Sequence, residues 1–150
     1  MIIEKANVSD AREILLLQRL AYSSEADIYN DFGIFPMTQT LDQIEKDFKK
    51  WISLKAVIDN KIIGSVKAYE KEGTCHIGRF IVHPDFQNQG IGTKLIYQIE
   101  KIFGGKRFEL FTGDKSQKNL YLYQKLGYKI FKEQKIDNIN YIYLEKTKRK

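Results

Sequence analysis

Thiol chemistry is almost missing from this chain of 150 residues, whose single cysteine is Cys75. One cysteine excludes an internal disulfide and any multi-cysteine metal site, and the two histidines, His76 and His83, are too few to complete a metal site by themselves. No metal is expected. There is no run of about 18 apolar residues that could span a bilayer, and no basic stretch leading into an apolar one at the N-terminus. These absences set the expectation of a cytoplasmic protein without a membrane partner. Two phosphate-binding signatures are missing as well. The dinucleotide fingerprint needs a third glycine and a downstream acidic residue, and the P-loop needs Gly-Lys-Ser/Thr closing a longer loop. Neither surrounds the pair Gly90 and Gly92. No aromatic-interleaved basic stripe or named nucleic-acid module is visible.

What is there is the composition of a soluble globular protein, 43% hydrophobic and 29% charged, with a length that suits one domain over residues 1–150. The net charge of +6 fits a nucleic-acid surface, attraction of an anionic cofactor, or a lysine-rich solubility feature. Much of the excess lies in Lys146, Lys148, Arg149 and Lys150, so 146–150 reads as a solvated basic tail and nucleic acid is the least favoured partner.

Taken in order, Met1 to Lys5 reads as a short edge strand. Ser9 or Asp10 caps a helix, with Glu13 completing a capping box if Asp10 is the cap, and Ala11, Ile14, Leu15, Leu17 and Leu20 form its buried side. The next twenty residues hold Tyr22, Glu25, Asp27, Tyr29 and Asp31 at mixed spacing. They read equally as a ligand-contacting loop, because aromatics supply area and carboxylates charge selectivity, or as a continuing helix. Thr40 and Gln43 make a second capping box, before an inner face of Leu41, Ile44, Phe48 and Trp51 or Ile52. The period then becomes that of strands: Leu54 to Ile58, an Asp59-Asn60 turn, Lys61 to Glu70 with a bulge at Gly64, a Glu72-Gly73 turn, and Thr74 to Val82 with Gly78 marking a bulge or a close approach.

Phe80 to Phe103 runs from that third strand through a Pro84 turn and the glycine loop into a helix with Ile91, Leu95, Ile96, Ile99, Ile102 and Phe103 on one apolar face. Glycines before a helix N-terminus suit an anion, since backbone N–H groups can approach it and the helix dipole favours negative charge. Gly104-Gly105 reads as the helix stop, and Lys106 to Thr112 as a strand in which Glu109 is an unexpected charge, requiring exposure, pairing or a shifted pKa. Ser116 to Tyr128 reads as a helix ended by a left-handed Gly127. Its Tyr121 and Tyr123 are two apart and cannot share a face. A terminal hairpin, Tyr128 to Gln134 and Ile139 to Glu145 about Asn138, puts Tyr141 and Tyr143 on one side, as substrate wall or as ordinary packing.

Two of these stretches carry a resemblance. Val82-His83-Pro84 followed by Gln87-Asn88-Gln89-Gly90-Ile91-Gly92 resembles the acetyl-CoA motif of the GNAT acetyltransferase superfamily, and Leu122-Tyr123-Gln124-Lys125-Leu126-Gly127-Tyr128 looks like its second motif. The resemblance implies a mixed α/β (α+β) single domain: a central twisted, mostly antiparallel sheet with a splayed parallel pair and about four flanking helices. It implies acetyl-CoA as the acetyl donor. Gln87, Asn88, Gln89, Gly90, Ile91, Gly92 and Thr93 would surround its pyrophosphate, and Phe80, Ile81 and Val82 its pantetheine, with Ser116 or Asn119 also bonding a pantetheine amide. Ser116 and Asn119 both depart from the family's usual residues, which leaves open which of them does so.

In the family the tyrosine at the Tyr123 position is the general acid that protonates the leaving sulfur. Tyr22, Glu25 and Tyr29 fall on the acceptor side, where Glu25, Asp27 and Asp31 would favour a cationic amine. For the general base, Glu109 leads Glu70, His76 and a water chain, while His83 reads as structural and Cys75, with no evident base, argues against a covalent acetyl-cysteine route. The expectation is an N-acetyltransferase acting on a primary amine by direct attack in a ternary complex. The alternatives are a non-catalytic acyl-CoA sensor and a basic nucleic-acid module. The acceptor, and whether the protein is a homodimer, stay open.

Overall fold

The computed structural model describes residues 1–104 and 107–147. Seven strands form one sheet, β1 (Ile2–Lys5), β2 (Ile52–Ile58), β3 (Lys61–Lys71), β4 (Thr74–Val82), β5 (Arg107–Gly113), β6 (Lys129–Ile136) and β7 (Ile139–Thr147), in the order β1-β2-β3-β4-β5-β7-β6. Five helices flank it: α1 (Ala11–Tyr29), α2 (Phe35–Thr38), α3 (Leu41–Asp47), α4 (Ile91–Phe103) and α5 (Gln117–Lys125). The tight turns are set by residues that tolerate left-handed backbone, Asp59 and Asn60 at φ 50° and 64°, Glu72 and Gly73 at 52° and 81°. The main core lies where Leu95, Ile96 and Ile99 of α4 meet Val66, Ala68, Phe108 and Leu144 of the sheet. No described helix is long and apolar enough to cross a membrane.

The parallel pair is short. β4 pairs with β5 only at Thr74↔Arg107, Cys75↔Phe108 and His76↔Glu109. Beyond His76, β4 stays on β3 while β5 follows β7 as far as Gly113↔Tyr141, so the two strands part and a wedge opens between them. A bulge sits on the wedge side. Lys67 pairs with Gly78 and Ser65 with Ile81, leaving Val66 alone opposite Arg79 and Phe80, and Arg79 adopts a left-handed φ of 47°. The bulge read at Gly64 is present too, with Ile63 unpaired between Gly64 and Ile62.

Several expectations need correction. The segment after Tyr22 is helical to Tyr29, ended by Asn30 in left-handed backbone at φ 50°. Neither Ser9 nor Asp10 caps α1 by a side-chain bond. Asn7 and Asp10 form a capping box around a 3-10 turn at Val8–Asp10, and Glu13 accepts from the Ile62 amide at 2.7 Å, tying α1 to β3. Leu20 is exposed because, at about 100° per residue, it falls on the side of the helix opposite Ala11. Ile102 is exposed as well, and the buried position on that last turn of α4 goes to Glu100. Its carboxylate accepts from the Tyr128 hydroxyl at 2.7 Å and from Lys146 at 3.1 Å. Lys146 therefore belongs to β7 and is not part of a solvated tail. Gly105, Lys106, Lys148, Arg149 and Lys150, read above as helix stop, strand start and tail, lie outside the described residues.

Candidate active site

The loop leaving β4 is built in two steps. His83 accepts the Asp85 amide on Nδ1 at 3.0 Å, fixing a 3-10 turn at Pro84–Phe86, and Gln87 donates from Nε2 to the Val82 carbonyl at 3.3 Å. Asn88 and Gly90 then take left-handed angles, φ 64° and 78°, which reverse the chain into α4. The first helical return bond runs from the Lys94 amide to the Gly90 carbonyl, and no side chain caps the helix. The amides of Ile91, Gly92 and Thr93 therefore face outward at the positive end of the helix. The two glycines differ in purpose. A β-carbon on Gly90 would meet nothing, whereas one on Gly92 would lie 2.5 Å from Cζ of Phe80.

The wedge opens into a cleft of about 820 Å³. Tyr22, Glu25 and Tyr29 of α1 form one wall, because the helix face that buries Ala11, Leu15 and Gln18 carries them inward further along. The β4 segment from His76 to Phe80 and the β5 segment from Glu109 to Gly113 form the floor. Asn119 and Tyr123 of α5 close one end. Tyr121 is 70% exposed and Tyr123 3%, as their spacing requires. Tyr123 packs against the rings of Phe80 and Tyr128, centroids 5.9 and 6.3 Å away, and its hydroxyl makes no hydrogen bond to any described residue. Burial first, then the neighbouring Tyr22 and Glu25, hold its pKa far above the ordinary phenol value, so it is a proton donor at neutral pH.

Of the paired alternatives, Asn119 faces the cleft and donates to the Thr112 hydroxyl at 3.4 Å. Ser116 is buried with its hydroxyl bonded to the Glu25 carboxylate, and it makes no side-chain cap on α5. The Tyr29 hydroxyl donates to Asp114 at 3.1 Å and accepts from the Lys115 amide at 2.8 Å, bracing the β5–α5 loop. Burial, with Asp114 beside it, pushes its pKa up to about 12.

Charge in the cleft is mostly paired. Glu109 accepts from Arg107 at 2.9 Å and lies 3.7 Å from His76 Nδ1, which itself stacks on Tyr69. Asp47 holds Lys67 at 2.6 Å, while burial draws the Lys67 pKa down. Of the acidic residues expected on the acceptor side, Glu25 lines the cleft, but Asp27 and Asp31 are solvent-exposed. Helical phase turns Asp27 outward, and Asp31 lies past the end of α1, where its carboxylate accepts from the Gly33 amide at 2.8 Å. Glu70 is exposed at the far end of β3, away from the cleft lining. Tyr141 and Tyr143 do line it, with Phe111 against both, so the aromatic side of β7 is a wall of the cleft. Cys75 is fully buried and its thiol is pushed up to about 12 by burial. Arg79, Tyr69 and the Asp47–Lys67 pair were not picked out from sequence. The available signal for Arg79 was a charge in an apolar strand directly after Gly78.

Known proteins share this fold. The sequence profile described as the acetyltransferase (GNAT) family matches residues 16–128. The UPF0157 protein YqkA of Bacillus subtilis (strain 168) is 27% identical over 119 residues, which are 79% of this chain and 34% of that protein. The chain thus spans about a third of the length of the curated relative it matches. The PaiA N-acetyltransferase from Thermoplasma acidophilum, in complex with coenzyme A, superposes with a TM-score of 0.82 at 17% identity, covering 99% of this chain and all of that one. An aminoglycoside 6'-N-acetyltransferase complexed with coenzyme A gives 0.76 at 21% identity, with 98% and 97% covered. At these identities the likeness shows a common fold.

Proposed function

This chain belongs to the acetyltransferase (GNAT) family, and from that premise we propose that it is an acetyl-CoA-dependent N-acetyltransferase which acetylates a primary amine by direct attack in a ternary complex. The observation that carries the reading is Tyr123, a buried, protonated hydroxyl without a hydrogen-bond partner among the described residues, aimed into the cleft beside the splayed strands.

The residues around it fit the donor. The outward amides of Ile91, Gly92 and Thr93, with Gln89 before them, suit a pyrophosphate. The edge of β4 beyond His76 has no strand on its β5 side, which leaves backbone groups around Phe80, Ile81 and Val82 for a pantetheine amide. Asn119 faces the same space. Acetyl-CoA supplies the thioester carbonyl. In this cleft Glu25 steadies the acceptor's ammonium beside Tyr22 and Tyr29, and Glu109, next to His76, takes the amine proton through water. The amine nitrogen bonds to the acetyl carbon, the carbon–sulfur bond breaks, and the Tyr123 hydroxyl gives its proton to the departing sulfur. Buried Cys75, with its raised pKa, is unsuited to a covalent relay.

The test is release of free thiol from acetyl-CoA with a panel of primary amines, with calorimetric titration of acetyl-CoA alongside. Turnover with at least one amine is expected. Binding without turnover on any amine would favour an acyl-CoA sensor, and absence of binding would remove both readings.

A further inference from the structure

Six residues lining the cleft carry a formal charge, and four of them are neutralised within the protein. Lys67 is held by Asp47, Glu109 by Arg107, and Lys46 by Asp42 at 3.1 Å. The two left without an ion-pair partner among the described residues are Glu25, whose partner is the neutral Ser116 hydroxyl, and Arg79. The Arg79 guanidinium meets only neutral groups among those described: Gln39 Oε1, to which it donates at 3.4 Å, the Tyr22 hydroxyl within hydrogen-bonding reach, and the face of Phe35, 5.2 Å from its ring centre. Its backbone is equally particular. Arg79 occupies the β4 bulge in a left-handed conformation that non-glycine residues adopt at a cost, and the bulge turns its side chain towards the cleft. Lys67 lies near enough to feel its charge, so this corner is positive even with Asp47 present. Arg79 and Glu25 also share neighbours. Beneath the dominant effect of burial, Arg79 lowers and Glu25 raises the pKa of both Tyr22 and Tyr141, so the two charges border one space.

We propose that Arg79 binds a carboxylate on the acceptor while Glu25 receives its ammonium, so that the amine acetylated in this cleft is an amino acid or another small amine that also bears a carboxylate. A guanidinium and a carboxylate that both lack an ion-pair partner among the described residues, on one cleft, are complementary to a zwitterion. They penalise an acceptor lacking either charge, because binding it covers the unmatched group without supplying a counter-charge. The inference rests on the acetyl-transfer reading and narrows its acceptor.

The experiment compares amino acids with the amines their decarboxylation would give, at one pH and saturating acetyl-CoA, by thiol release. The carboxylate-bearing member of at least one pair should have a kcat/KM higher by about tenfold or more, the size of a charge-assisted hydrogen bond. Arg79→Gln should collapse that ratio towards one, and Arg79→Lys, which keeps the charge, should restore part of it. Retained acetyl-CoA affinity by calorimetry reports that each variant is folded. Should Arg79→Gln fail that control, the wild-type ratio and Arg79→Lys decide. A wild-type preference for the decarboxylated amines overturns the proposal, as does an equal loss on both members of each pair in Arg79→Gln, while leaving acetyl transfer intact. Absence of thiol release with every amine removes the acetyl-transfer reading and this one with it.

Discussion

The ring of Phe80 fills the space that a β-carbon on Gly92 would need, 2.5 Å from Cζ. The second glycine of the loop is thus a packing requirement between α4 and β4, and through the Phe80–Tyr123 ring contact it reaches the proposed acid. Gly92→Ala should cost about 1–3 kcal/mol, as overpacking does. In denaturant unfolding, Gly92→Ala combined with Phe80→Leu should lose less than the sum of the two single variants.

Tyr123→Phe keeps the ring and removes only the proton. We expect kcat to fall about 100-fold with the KM for acetyl-CoA nearly unchanged, a general-acid effect without loss of binding. Steady-state thiol release measures both. An unaltered kcat would place the proton donor elsewhere.

Lys146→Met should destabilise the protein by about 3 kcal/mol, since it removes one ion pair from Glu100, a carboxylate only 1% exposed. Adding Glu100→Gln to the same chain should recover part of that loss, because a neutral amide needs no counter-ion. Chemical denaturation of the two variants and the unaltered chain makes the comparison.

Alkaline pH should unfold the protein with uptake of base by its tyrosines. Burial raises the pKa of Tyr22, Tyr123, Tyr128 and Tyr141 above the usual phenol value, and takes Tyr29 from 10.0 to about 12. Above pH 10 the unfolded chain loses phenol protons that the folded chain keeps. The Tyr29 part of this contribution is therefore complete below pH 10 and lost as pH rises through about 12. Tyrosinate absorbance should show Tyr123 and Tyr128, 3% and 2% exposed, titrating only together with unfolding, and their free titration in the folded state would contradict their burial.

Cys75 should resist alkylation at neutral pH until denaturant is added, because its thiol is fully buried and its pKa stands at about 12. Mass measurement after reaction with iodoacetamide decides this. Rapid labelling of the folded enzyme with loss of turnover would reopen a cysteine route.

How much could be read from the chain follows the range of the interactions. The Gln87 to Gly92 loop, the Thr40–Gln43 box and the left-handed turns at Asp59-Asn60 and Gly127 are set by residues within a few positions of one another, and they were legible. The splay was legible only through a resemblance. What escaped depends on partners far along the chain. Glu100 meets Lys146 46 positions later, so neither a buried acid on α4 nor a structural role for the last lysines shows in local pattern. Tyr29 is fixed by Lys115, 86 positions away, and Glu25 by Ser116, 91 away, which turned an ambiguous stretch into a helix with a cleft-lining face. Arg79 was missed because its meaning comes from what does not pair with it.

The place of β7 in the sheet also orders events in time. Among the described strands it is the last made, yet it lies between β5 and β6 and carries Lys146 to Glu100. On the ribosome, β5 and β6 wait without a partner for that side of the sheet, and the wall formed by Tyr141 and Tyr143 does not yet exist. Closure of this half is a long-range step completed only after translation passes Thr147. Nascent chains halted before Ile139 leave Phe108 and Leu110 uncovered on their β7 side, a target for chaperones and proteases until synthesis resumes.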